Sequence, residues 1–539
     1  MTMRNTRPTT LRTFAVGSLL LGAACNLVSG IEELEVREPS SGTTTTDGGG
    51  AMSDDSSVTP VGEAGQDAGP QCREGYAPSD AGCVFVNPFV DPSFQGTPPN
   101  AWTLLSGATL NADVAGPNDL GVATLQDRTR NPELRSGGIA QTVTMPTVVG
   151  SEPFAIDVRA RIESGFSGGR GPMSIFIADR LAEEGTGVGA PGVNPISVRR
   201  CLGELAYGGK VPFSFFASEI NLTRLELDRV AIVPDASCPA PGKVPNGDFE
   251  AAGSWTVSSN ATIAGTFGTN GGRGAQLISS SGFGGRVTTT VSIPATSMAG
   301  PAVRFRTYTA ATANVHVLVD DVAVGRARAN AATTTQEVCL PVWSRGLVLP
   351  LAFGAGGLQG APGGGPAETV AIDDVAFVDV PACAPTNQPS NAGFEVAGAP
   401  IAGWYDQADT GFTAARNTTN PHTGSGRLTL TASAGCAFGG RAYASQVVAL
   451  PASTVALGGP VLRHWYLYSA GAGVSVTTQP GSSVTPTATW TEKKTCLAPA
   501  PMGTRVALSF ELRGGGSCAA AELDIDDVSI GNDVSCPIQ

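Results

Sequence analysis

The sequence predicts an all-β protein, with three tandem β-sandwich units behind a disordered N-terminal tether. Composition is the first ground. Seventy glycines and 39 prolines in 539 residues, with only 15% charged residues, penalise helix interiors, while 41% hydrophobic residues can still build cores. The second ground is a threefold recurrence of cysteine, phenylalanine, tryptophan and acidic-strand motifs, spaced by about 150 residues. The third is a series of short runs rich in β-formers, among them 154–161, 302–308 and 315–319, set between Pro/Gly/Ser/Thr clusters. A single core cannot grow to this length, so several domains are required.

The N-terminus reads as an address. Arg4, Arg7 and Arg12 precede an apolar run over residues 14–24 that stops at Cys25, the layout of an export signal over residues 1–25. The run is too short to cross a bilayer. Leu21-Gly-Ala-Ala-Cys25 resembles a bacterial lipoprotein lipobox, although Gly22 stands where leucine is usual. That resemblance implies acylation of Cys25, and Asn26 after it favours an outer-membrane or cell-surface location. Ordinary signal cleavage and secretion is the alternative. Residues 26–71 lack a core-forming pattern and read as a disordered linker; residues 32–71 hold no aromatic residue and include Ser/Thr/Gly/Asp tracts.

The cysteines then set out the units. Cys83, Cys238 and Cys383 each lie 11 residues before a phenylalanine: Phe94, Phe249 and Phe394. Those phenylalanines end or nearly end Asn87-Pro-Phe-Val-Asp-Pro-Ser-Phe-Gln95, Asn246-Gly-Asp-Phe-Glu250 and Asn391-Ala-Gly-Phe-Glu395. Trp102, Trp255 and Trp404 follow. Cys201, Cys339 and Cys496 each precede leucine, and each unit closes on an acidic strand (225–232, 370–377, 523–530) and a cysteine. The boundaries are a small disulfide stub at 72–83 and sandwiches at 84–238, 239–383 and 384–539. Interior cysteines could pair backwards or forwards. Forward pairing gives Cys201–Cys238, Cys339–Cys383 and Cys496–Cys536, with Cys72–Cys83 and Cys436–Cys518 beside them; it strands no thiol and suits an oxidising compartment. Residues 180–199 read as an insertion, with a turn near 179–184.

The Asn-Gly-x-Phe-Glu start, the tryptophan after it and the Ile-Asp-Asp-Val strand resemble carbohydrate-binding modules of the CenC type, over about residues 83–538. Those modules have a galactose-binding-like jelly roll, and the resemblance implies that fold and glycan or polysaccharide binding. It also implies a structural calcium between the first and last strands, held by Glu250 with Asp373 and by Glu395 with Asp526, because calcium takes six to eight oxygens. Strand parity groups Asp373 with Val375 and Phe377 on the buried side and turns Asp374 and Asp527 outward. The first unit has Gln95, Asp228 and Arg229 at the matching positions. The alternative is that these carboxylates accept backbone hydrogen bonds without metal.

Trp102, Trp255 and Trp404 recur in register and are expected in cores, whereas Trp343, Trp465 and Trp490 are more open to function. Parity puts Arg304, Arg306 and Tyr308 on one sheet face, and Arg463, Trp465 and Leu467 on its counterpart, with Asp157, Arg159 and Arg161 in the first unit. Such a stripe is either a glycan or peptide platform with cation–π contributions, or a solvated surface. His464 falls on the opposite parity and reads as packed.

Catalytic motifs fail. Gly165-Phe-Ser-Gly-Gly169 has no histidine in its unit, all three histidines lying beyond residue 315. Gly187-Val-Gly-Ala-Pro-Gly192 is interrupted by proline. Asp320-Asp321 reads as a surface turn. A net charge of −13 argues against nucleic acid. The expectation is therefore a non-catalytic surface protein that binds glycans and meets the membrane only through its lipid. The alternatives are a structural or adhesive protein that binds other surface proteins and, behind it, a polysaccharide-active enzyme.

Overall fold

The computed structural model of the chain describes residues 76–538 apart from short segments, chiefly 95–100, 112–121, 127–136, 147–152, 165–172, 187–195, 218–223 and 356–368. The expected export signal with Cys25, the linker 26–71, Cys72, Gln95 and the motifs at 165–169 and 187–192 lie outside the described residues. Among the described residues the regular elements are strands, with three single-turn 3-10 segments at Glu204–Ala206, Val342–Ser344 and Pro381–Cys383.

The same pair of antiparallel sheets is built three times. In the first unit, one sheet runs Ile196–Cys201, Phe154–Ser164, Arg224–Pro234, Val122–Gln126, Ala108–Asn111. Its partner runs Thr103–Leu104, Gly138–Met145, Gly209–Ala217, Met173–Ile177, Arg180–Thr186. The second unit repeats both orders. Thr334–Cys339, Pro301–Tyr308, Thr369–Asp379, Gly274–Ser280 and Ala261–Ala264 form one sheet; Thr256–Val257, Arg286–Ser292, Val348–Ala355, Ala313–Val319 and Val322–Ala329 form the other. The third has Thr491–Cys496, Gly459–Ser469, Ala521–Asp533, Arg427–Ala432 and Phe412–Asn417, against Tyr405–Ala408, Arg441–Ala449, Arg505–Gly514 and Val474–Gln479. The chain is thus all-β and made of tandem β-sandwiches. In each, the last strand lies at the centre of its sheet.

The recurring motif is a turn that locks the entry of each unit. Asn246 and Asn391 hold positive φ (48° and 49°), a conformation asparagine tolerates better than most residues, and Asp91 takes the same role in the first unit at 52°. The Asn391 amide accepts from Val396 N (3.0 Å) and donates to the Ala402 carbonyl (2.9 Å), while Trp404 Nε1 donates to the Asn391 carbonyl (3.3 Å). Trp255 and Trp102 make the same indole bond to Asn246 (2.9 Å) and Asp91 (3.0 Å). Each indole then packs on its phenylalanine, with ring centroids 5.2 Å apart for Phe94–Trp102, 4.9 Å for Phe249–Trp255 and 5.3 Å for Phe394–Trp404. All six rings are buried. A tryptophan in a core needs a partner for its N–H, and the turn carbonyl supplies it.

Disulfides join Cys201–Cys238, Cys339–Cys383, Cys436–Cys518 and Cys496–Cys536, the forward scheme. Cys83 is bonded as well. The stub is a hairpin, Tyr76–Ser79 with Gly82–Phe85, whose Phe85 ring meets Phe154 at 4.7 Å.

One expectation needs correction. Residues 180–199 are not an insertion: Arg180–Thr186 pairs with Met173–Ile177, and Ile196–Cys201 pairs with Phe154–Ser164. The tight turn at Ala178 and Asp179, both at positive φ, hides the hairpin because neither residue is glycine or asparagine. Asp320 and Asp321 form the expected turn, and each pairs with an arginine, Arg505 (2.6 Å) and Arg286 respectively.

The sandwiches also pack on one another. Glu204 of the first unit accepts backbone bonds from Ala295, Thr296 and Ser297 of the second. Val447 and Ala449 of the third pack against the core shared by the first two. Tyr405 and Asp406, almost fully buried, meet His316 (3.1 Å) and Arg326 (2.7 Å) of the second unit. The outward side of the sheet carrying Tyr405 and Val447 is thereby covered by the second unit, and the opposite sheet of the third sandwich faces away from that contact.

Candidate functional site

The strand Ala521–Asp533 carries Leu523 and Ile525 into the core and Glu522 and Asp524 to the other side, by ordinary alternation. The alternation then slips. Arg463 pairs with Ser529 but Trp465 pairs with Asp526, so one extra residue is accommodated, and Asp527 takes positive φ (48°). This is a β-bulge, and it returns Val528 to the core. Thr369–Asp379 has the same bulge between Ala376 and Asp373, with Asp374 at φ 51°. Core residues Val370 and Ile372 are followed by Val375 and Phe377, an odd step. Asp373 therefore lies across from Arg306 rather than in step with Val375 and Phe377, yet it is buried (6% exposed) and Asp374 is exposed, so the expected partition holds although the bulge breaks the parity behind it. Asp526 likewise lies across from Trp465.

In the third unit the bulge is the base of a cluster. Asp526 Oδ2 accepts from the backbone N of His422 (2.9 Å) and Thr423 (3.2 Å), and Oδ1 from Asp527 N (2.8 Å). Asp527 receives the His422 ring at Nδ1 (2.6 Å) and the Thr423 hydroxyl (2.6 Å). The His422 ring stacks on Trp465 at 4.0 Å and meets the edge of Trp490 at 5.7 Å. Burial pushes the Asp526 carboxyl up to about 6, against the pull of these N–H donors.

Two residues further along the neighbouring strand the face opens into a groove of about 890 Å³, lined by Thr431, Leu467, Ser469, Thr487, Glu522 and Asp524. Asp524 is buried and also raised to about 6, chiefly by desolvation; it accepts from the Thr429 hydroxyl (2.7 Å) and lies 3.1 Å from Arg427 Nε. Hydroxyl, carboxylate and aromatic groups thus share one sheet face beside an open trough.

The arginine stripe is present on the predicted faces, but its charge is neutralised locally. Arg304 bonds Glu337 (2.7 Å), Arg306 bonds Asp374 (3.1 Å), and Arg463 bonds Asp533 (2.5 Å). Arg159 and Arg161 in the first unit meet Asp228 and Glu226. Tyr308 is half exposed at the end of the second unit's stripe. His464 is fully buried, and desolvation lowers it to about 4. Trp343 is buried at the junction of units two and three, under the Arg505 guanidinium (4.8 Å).

The calcium expectation meets a short donor set. Glu250 Oε1 accepts from Arg273 N (2.7 Å), and Glu395 Oε2 from Ser425 N (2.8 Å) and Oγ (2.5 Å); the Ser425 hydroxyl leads in holding Glu395 below the usual carboxylate range. Asp373 Oδ1 accepts from Asp374 N (2.8 Å). N–H donors point at these carboxylates, and among the described residues no group of three or more His, Cys, Asp or Glu side chains converges as a metal site. The named carboxylates alone do not make up the six to eight oxygens that calcium takes, so main-chain carbonyls would have to supply the rest.

His422, Glu522 and Asp524 were not singled out from the sequence. The alternation Glu-Leu-Asp-Ile-Asp at 522–526 is a legible signal for the acids. His422 has none, since it reaches the bulge from a loop more than a hundred residues away.

No protein-family profile matches the sequence, and no curated protein matches it. Several solved structures do. The tandem CBM22-1–CBM22-2 domain of Paenibacillus barcinonensis Xyn10C is 14% identical, covering 53% of this chain and 96% of that one, with a TM-score of 0.20. TmCBM61, solved with β-1,4-galactotriose, is 19% identical over 27% of this chain and 99% of that one (TM-score 0.21). The family 11 carbohydrate-binding module of the Clostridium thermocellum cellulase Lic26A-Cel5E is 12% identical over 26% and 95% (TM-score 0.18). These structural neighbours are carbohydrate-binding modules, and at such TM-scores the likeness carries no argument about what this chain does.

Proposed function

We propose that the protein is an exported, non-catalytic glycan-binding protein, and that the outward sheet face of the third sandwich is its binding surface. One observation carries this reading: Trp465, stacked on His422, adjoins a groove whose walls offer hydroxyls and the carboxylate of Glu522, with the buried Asp524 beneath. Aromatic faces stack on sugar rings, and carboxylates accept from sugar hydroxyls. Glu522 and Asp524 share a single arginine, Arg427 (3.3 and 3.1 Å), which leaves the row net negative and disfavours an anionic polysaccharide. Export and acylation at Cys25 belong to the same proposal, which radiolabelled palmitate incorporation into the wild type and not into Cys25→Ser tests.

Units one and two favour a second role. Their corresponding faces carry arginine–carboxylate pairs as the third does, but in the second unit Arg306 stands where the third has Trp465, and both units are packed into neighbours, which suits spacers or a surface for other proteins. A screen of immobilised polysaccharides with the whole exported chain separates the two. Retention on a neutral glycan, weakened about tenfold or more by Trp465→Ala, supports the binding face. Retention on no glycan, with capture by a purified surface protein instead, replaces it with the adhesive reading. Shortening of the polysaccharide by purified protein would make it an enzyme.

A further inference from the structure

A second site lies away from that face, where the three sandwiches meet. Arg345 of the second unit is more than nine-tenths buried. Its Nε donates to the Leu340 carbonyl (3.3 Å) and one Nη to the Cys383 carbonyl (2.6 Å). Arg180 of the first unit reaches in from the other side, donating to the carbonyls of Val342 (2.5 Å) and Arg345 (2.7 Å). Carbonyls satisfy hydrogen bonds but carry no formal charge. Among the described residues neither guanidinium has a carboxylate partner, and burial together with mutual repulsion lowers the affinity of Arg180 for its proton.

The nearby acids are committed elsewhere. Glu204 is held by residues 295–297, Asp320 by Arg505, Asp406 by Arg326 and Glu395 by Ser425. A buried cation beside a half-buried one, without a counter-charge, is costly, and an anion would offset it.

The junction has room for one. A cavity of about 380 Å³ opens between units two and three, lined by Arg345, Trp343, Val324, Leu340, Val447 and the Cys339–Cys383 disulfide. The Nε1 of Trp343 is buried with no hydrogen-bond partner. Arg345 and Trp343 therefore supply the wall with donors; Asn391, Gln446 and Glu395, whose carboxylate is bonded to Ser425, also line it, and most of the remaining surface is apolar. Pockets at domain junctions with an apolar lining and a few convergent polar groups are suited to small molecules of this volume.

We propose that the cavity between the second and third sandwiches binds a small carboxylate with an apolar body, its anionic end on Arg345 and Trp343. Arginine takes a carboxylate through paired N–H donors, which gives the orientation. Benzoate and the neutral benzyl alcohol test this on the whole chain at fixed ionic strength, read by tryptophan fluorescence and by the melting temperature. Saturable benzoate binding is expected, at least tenfold tighter than that of benzyl alcohol. Arg345→Met should abolish it while leaving the unliganded melting temperature unchanged or higher. Trp343→Phe, which keeps the ring and loses the N–H, should weaken it several-fold and serves if Arg345→Met does not fold. No saturable benzoate binding, equal binding of benzyl alcohol, or binding unchanged in both variants overturns the proposal. Trp465→Ala should leave benzoate binding intact, so failure here and failure of the glycan face are distinguishable.

Discussion

Arg326→Met probes whether the second and third sandwiches are joined by a desolvated charge pair. Asp406 is 2% exposed; its carboxyl receives Arg326 at 2.7 Å and Ile401 N at 3.3 Å, and Tyr405 packs beside it. Burial already raises the Asp406 carboxyl above its ordinary range despite the arginine. Removing Arg326 leaves a buried carboxylate with one backbone donor, a loss of about 3–5 kcal/mol, or on the order of 10 °C in the melting temperature of a unit this size. The sign with pH follows. Without the arginine the folded carboxyl takes up a proton more readily than the unfolded one, so the penalty is largest above neutrality and shrinks as pH falls towards the unfolded value of about 4. Asp406→Leu with Arg326→Met removes both charges and should return stability to within about 1–2 kcal/mol of wild type. Thermal and urea unfolding of the three proteins at pH 5 and pH 8 measures this. A penalty below about 1 kcal/mol at pH 8, the value for an exposed pair, would show that the contact is solvated and that the sandwiches are not packed as described.

Asn391→Ala removes two side-chain bonds of the entry turn and places alanine at positive φ, so a loss of about 2–4 kcal/mol is expected by urea unfolding; Asn391→Gly, which relieves the backbone cost, should lose less. Asp526 and Asp524 both have folded values near 6, raised above the unfolded range, so their contribution is present at low pH and is lost as pH rises through about 6. The stability of wild type relative to Asp526→Asn should fall between about pH 4 and 6, by at most about 1.4 kcal/mol per pH unit; a difference that rises instead would contradict the burial argument. A calcium chelator should leave the melting temperature unmoved, because the carboxylates at Glu250 and Glu395 are held by backbone N–H groups; a chelator-induced drop reversed by calcium would show a metal site.

Much of the fold is legible in the linear chain because the information is local or repeated. The Asn/Phe/Trp turn needs only residues within about fifteen positions of one another, and its threefold recurrence exposes the units. Cysteine spacing around those turns limits the pairing to a backward or a forward scheme, and the forward one alone strands no thiol. Alternation puts Arg304, Arg306, Tyr308, Arg463 and Trp465 on the right face, and places His464 in the core. What alternation cannot register is an inserted residue: the bulges at Asp374 and Asp527 reverse parity within the strand, so Asp373 and Asp526 are buried as expected but opposite Arg306 and Trp465 rather than in step with the core residues that follow them.

The sequence by itself therefore determined the class of fold and its three copies, and narrowed the covalent clasps to two schemes of which the structure has the forward one. Only the tertiary structure decided which face of the third sandwich stays open, which acids meet His422 and Trp465, and how Arg180, Arg345 and Trp343 converge. Those outcomes depend on contacts between residues 80 to 165 positions apart, such as Tyr405 with His316 and Arg180 with Arg345. Periodicity reports which side of its own strand a residue occupies. It holds no record of what another unit brings against that side.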